Sequence, residues 1–107
     1  MSRKIRIITR DEVERLWDIQ SIVVQIFELI DQINTGHYDA RTKRITIQFI
    51  RILMKKIRQS SEYHHNIGES YGIASLKKIR EELIKSRRFN NTGIIGEIDR
   101  FLIEMLI

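Results

Sequence analysis

Residues 44–58 read Arg-Ile-Thr-Ile-Gln-Phe-Ile-Arg-Ile-Leu-Met-Lys-Lys-Ile-Arg. Ile45, Thr46, Ile47 and Ile50 are β-branched and suit a strand as well as a helix. The periodicity favours the helix. Ile45, Phe49, Ile50, Leu53, Met54 and Ile57 fall on one face of a 3.6-residue repeat. Arg44, Arg51, Lys55 and Arg58 gather within an arc of about 60° on another face. Asp39 can cap this segment, so a helix is expected over about 40–61, with a strand as the alternative for residues 44–50 only.

Outward from this helix the same period recurs. Upstream, Thr9-Arg10-Asp11-Glu12 fits a capping box and opens a helix over about 10–35, ended by Gly36. Its apolar arc runs from Leu16 and Ile19 through Val23, Ile26 and Ile30 to Ile33. Trp17 and Val24 sit on its polar side, out of place for a monomer's solvent face. Downstream, residues 62–72 carry Gly68 and Gly72 and read as the longest loop. A third helix is expected over about 73–88, with Ile73, Leu76, Ile79, Leu83 and Ile84 inward. Phe89-Asn90-Asn91 reads as a turn, and Thr92 caps a fourth helix over about 92–107. The apolar end, Met105-Leu106-Ile107, is expected to be docked, within the bundle or against a second subunit. The expected fold is an all-α four-helix bundle in one domain, 1–107, preceded by a short arm or strand at 1–8.

The composition fits this. A chain of 107 residues with 42% hydrophobic and 31% charged residues is globular in character, and it is long enough to fold without metal or disulfide staples. It has no Pro, which suits uninterrupted helices. It has no Cys, which excludes a disulfide scaffold, a zinc–thiolate site and a Cys nucleophile. The N-terminus lacks a signal-peptide pattern and no segment reads as a membrane span, so a cytoplasmic protein is expected.

The net charge is +5 and unevenly spread. Residues 37–63 and 64–91 are basic, whereas 92–107 are acidic. The Cα atoms of Arg44, Arg51, Lys55 and Arg58 span roughly 21 Å, and a stripe of that kind can track a phosphate backbone. The third helix adds Lys77 and Lys78. The expected function is therefore a small basic accessory protein, not an enzyme. It would contact nucleic acid or a nucleoprotein through a stripe on helices 2 and 3. The alternative is a protein–protein or structural subunit that binds no nucleic acid. Trp17, Val24 and Val13 predict a homodimer across helix 1, because a chain this short has little to cover two faces of one helix.

The remaining motifs are sparse. His37, His64 and His65 lack the spacing of a metal site, and no phosphate-binding loop, dinucleotide fingerprint or Ser-His-Asp set occurs, so neither metal nor cofactor is expected. Arg58-Gln59-Ser60-Ser61-Glu62-Tyr63-His64 has Arg-x5-His spacing. Over these seven residues, and in its all-helical class, the chain resembles the small ribonucleases of the HEPN class. The resemblance implies RNA cleavage without metal, with Arg58 holding a phosphate and His64 moving the 2′-hydroxyl proton.

Overall fold

The computed structural model describes residues 10–36, 39–61 and 67–106, and their side chains except at 10–16, 60, 61 and 67–69. The chain is an all-α four-helix bundle: α1 Arg10–Asn34, α2 Ala40–Ser61, α3 Ile67–Ser86 and α4 Ile94–Leu106. No strand occurs among the described residues, so residues 44–50 are helical. The arm at 1–8, the Thr9 cap, the three histidines and the Val13 side chain lie outside what is described.

Local chemistry sets the helix ends. Asp39 caps α2: its Oδ1 accepts from the Arg41 amide at 3.0 Å, and its carbonyl accepts from the Lys43 amide at 3.1 Å. Gly36, with φ +98°, takes the left-handed conformation that ends α1. The Thr92 hydroxyl accepts from the Ile94 amide at 3.3 Å, while the Gly93 carbonyl receives the first bond of α4, from Glu97 at 3.1 Å. Arg87, just after α3, sits at φ 57° and is the one non-glycine residue with positive φ among those described.

The core is a column of Ile and Leu side chains. Ile19, Val23, Ile26, Ile30 and Ile33 of α1 meet Ile50, Leu53 and Ile57 of α2 and Leu76, Ile79 and Leu83 of α3. Each such side chain contributes about 1.5–3 kcal/mol on full burial. Thr46 is also fully buried. Its hydroxyl donates to the Thr42 carbonyl at 2.8 Å, so a polar β-branched residue is accommodated inside the helix.

The structure corrects two expectations and adds one feature to an expected turn. First, α3 begins at Ile67, six residues before 73, so Gly68 and Gly72 are helical. Gly72 is there for clearance: a β-carbon on it would stand 2.5 Å from Ile57 Cγ1. Second, Phe89 in the α3–α4 connection is fully buried and plugs the core from a turn. Third, Ile84 is 43% exposed and Leu106 is 68% exposed. Leu106 lies off the buried face of α4 formed by Ile94, Ile98, Phe101 and Leu102, so it is not docked within the bundle, whereas Met105 packs against the core.

Packing is not square. α1 lies against α2 and α3, and α4 lies against the same two helices, but no Cα of α1 comes within 8 Å of one in α4 among the described residues. The α2–α3 pair is the shared middle layer. α1 and α4 therefore occupy opposite sides of it.

Candidate nucleic-acid interface

The cationic face of α2 forms as the helical period requires, with Arg44, Arg51, Lys55 and Arg58 all exposed. It does not face open solvent along its whole length, because α4 runs beside its second half. Arg51 Nε and Nη2 donate to the two carboxylate oxygens of Glu97 at 3.1 and 3.2 Å. Seven residues on, Arg58 Nη2 donates to Glu104 at 2.6 Å. The Arg58 guanidinium also stands 5.4 Å from the centre of the Phe101 ring, within cation–π range. Both pairs span 46 residues in sequence, so α2 and α4 run parallel and in register.

The other flank of α4 is held from α3. Arg80 Nε donates to Asp99 Oδ1 at 2.5 Å and Arg80 Nη2 donates to Oδ2 at 3.3 Å. Hydrogen bonding to Asp99, and then its charge, hold the Arg80 guanidinium above its ordinary pKa. The acidic last helix is thus clamped on both edges by arginines of the basic middle of the chain. On the far side of α2, Lys56 reaches Asp18 of α1 at 3.3 Å.

Lys77 and Lys78 are exposed, but they do not extend the α2 stripe. They diverge by about 100° around α3. They also belong to the helix that grips the opposite edge of α4 from the one held by Arg51 and Arg58. The expected single stripe is therefore two separate sets of cations, with α4 between them.

Between α2 and α4 lies a cleft of about 630 Å³, lined by Arg51, Met54, Lys55, Arg58, Gln59, Glu97, Arg100, Phe101 and Glu104. Arg100 was not expected from the sequence, because its importance comes only from the register of α4 on α2. Its guanidinium folds back over Gly96, with Nη1 4.0 Å from the place of a β-carbon. A second cationic region lies at one end of the bundle. Gly36, Asn34, Lys85, Ser86 and Arg88 line one depression there, which brings the end of α1 against the end of α3. α2 starts four residues after Gly36, so Arg41, Lys43 and Arg44 flank the same end.

On the opposite side of the molecule, Trp17 is 67% exposed and Val24 53% exposed on the outer face of α1. With Gln20, Ser21, Gln25, Glu28 and Tyr71 of α3 they line a shallow groove. Tyr71 belongs to this surface because α3 starts early enough to carry it. Of the Arg-x5-His pair, Arg58 is engaged by Glu104 and Phe101, and His64 lies outside the described residues.

Among the described residues no three His, Asp or Glu side chains gather as a metal site. No described helix is long and apolar enough to cross a membrane. Comparison with family models, with curated proteins and with solved structures finds no match.

Proposed function

We propose that the protein is a helical accessory protein that acts by binding nucleic acid through the cations of α2 and the adjoining end of the bundle. The observation that carries this reading is where the net charge sits. At that end, Arg41, Lys43, Arg44, Lys85, Arg87 and Arg88 stand against Asp31, Asp39 and Glu82. In the cleft, Arg51, Lys55, Arg58 and Arg100 stand against Glu97 and Glu104. Among the described side chains these two regions hold the whole surplus of cations, and elsewhere Lys56, Lys77, Lys78 and Arg80 are balanced by Asp18, Glu28, Glu81 and Asp99. Arg44 and Arg51, about 10 Å apart along one helix face, join them. Concentrated positive potential of this kind draws in a phosphate backbone and releases its counterions.

The test is a salt titration of binding to an oligothymidylate about 15 nucleotides long, followed by fluorescence anisotropy. The reading expects micromolar affinity that falls steeply with salt. Reversing Arg41 and Arg44 to Glu should weaken it roughly tenfold. An unaltered affinity in that variant, or no binding by the wild-type chain at low salt, overturns the reading.

The same reading takes the active unit as a homodimer across α1. Trp17, Gln20, Ser21, Val24 and Gln25 form an uncharged ridge with Glu28 at one end, in a chain of which 31% is charged. The ridge is self-complementary about a twofold axis passing between Gln20 and Ser21. In an antiparallel pairing the large Trp17 of each copy meets the small Val24 of its partner. This exposed aromatic ridge also favours the second reading, a protein-binding subunit that needs no nucleic acid. Failure of the oligonucleotide assay together with self-association through Trp17 selects that second reading.

A further inference from the structure

We infer that the α2–α4 cleft is a phosphate-binding site in which Lys55 and Arg100, one from each helix, hold a single phosphate group. The inference deepens the nucleic-acid reading and rests on it for the source of the phosphate. The two helices present triplets whose outer members match in spacing. Along α2 the order is Arg51, Lys55, Arg58, and along α4 it is Glu97, Arg100, Glu104. The outer members pair across the cleft, Arg51 with Glu97 and Arg58 with Glu104. The middle members carry the same sign.

The register makes this placement firm. Parallel helices offset by 46 residues put Lys55 level with residue 101, so Lys55 and Arg100 border the same gap between the two rungs. Among the described residues, the carboxylates lining the cleft are Glu97 and Glu104, and both already accept from an arginine. Lys55 and Arg100 thus line the same space of ligand-binding size, with no described carboxylate there left over for them. An anion between them turns a repulsion into two charge-assisted hydrogen bonds. The surroundings are already ordered: Arg51 is fixed by two bonds, and Arg58 is fixed by Glu104 and the Phe101 ring. A surplus of two cations matches the charge of a phosphate monoester, about −1.5 to −2 at neutral pH. An internal phosphodiester offers the same oxygens at half that charge.

The experiment compares oligothymidylate with and without a 5′-phosphate, and inorganic pyrophosphate, on the wild-type chain and on Lys55→Gln/Arg100→Gln. Lys77→Gln/Lys78→Gln serves as the charge-matched control. Circular dichroism checks that each variant is folded. Expected is a loss of roughly tenfold in oligonucleotide affinity for the cleft variant, with the salt slope reduced by about one and the control within roughly twofold of wild type. A loss confined to the 5′-phosphorylated strand identifies a terminal monoester, and an equal loss on both strands identifies an internal phosphodiester. Pyrophosphate should shift amide resonances of 51–59 and 97–104 in the wild-type chain. Oligonucleotide binding that is the same in the cleft variant and the wild type overturns the site while leaving the broader reading standing. Pyrophosphate binding in the cleft with no oligonucleotide binding supports the site and overturns the broader reading.

Discussion

Gly72 of α3 and Ile57 of α2 approach so closely that a β-carbon on the glycine would stand 2.5 Å from Ile57 Cγ1 and 2.9 Å from Cδ1. Ile57 is fully buried, so a shift of its side chain would have to be made within the packed core. Alanine at 72 gains about 1 kcal/mol of helix propensity but forces α2 and α3 apart, which costs about 1–3 kcal/mol. Gly72→Ala is expected to lower stability in urea unfolding. Gly96→Ala meets only the Arg100 guanidinium at 4.0 Å and is expected to raise stability by up to about 1 kcal/mol. Equal effects of the two variants would contradict the close packing of α2 on α3.

The glutamates of α4 occupy arginines that a polyanion would otherwise use. Their pairs are exposed, so each contributes only about 0.2–1 kcal/mol to stability. Glu97→Gln/Glu104→Gln should therefore unfold within about 2 kcal/mol of wild type. It should also bind oligothymidylate roughly threefold to tenfold more tightly at low salt, with a steeper salt dependence. Unchanged affinity would show that Arg51 and Arg58 lie off the nucleic-acid path.

Trp17 touches little of its own chain, so changing it should alter association and not folding. Trp17→Glu is expected to turn a dimer into a 13 kDa monomer by light scattering, with urea stability extrapolated to the monomer changed by less than about 0.5 kcal/mol. A wild-type chain that is monomeric at tens of micromolar removes the α1 interface.

Arg87 holds a left-handed conformation that costs an L-residue roughly 1–2 kcal/mol and glycine almost nothing. Arg87→Gly is expected to raise the midpoint of thermal unfolding by about 4 °C. Phe89→Ala, two residues on and fully buried, is expected to cost about 3–5 kcal/mol. The opposite signs at these two positions separate a backbone effect from a packing effect.

α1 and α2 were legible in the sequence because their ends carry strong local signals, Asp39 before one and Gly36 after the other. The start of α3 was not. Gly68 and Gly72 read as loop residues, and only the proximity of Ile57 explains a glycine inside that helix. Phe89 escaped because periodicity identifies core residues within helices, not one that folds inward from a turn. The charge stripe on α2 was legible as a stripe, but its partners were not. Arg51 and Arg58 share a seven-residue spacing with Glu97 and Glu104, yet that match has meaning only once α4 is known to run parallel to α2. Arg100 was hidden for the same reason, since it looks like an isolated arginine in an acidic segment.

The placement of α1 and α4 on opposite sides of the α2–α3 layer has a consequence for any pair of copies joined through Trp17. Each copy would carry its cleft outward, facing away from the other. Such a pair is two-headed: it can tether two separate strands, or two distant points of one, but it cannot close around a single duplex like a clamp.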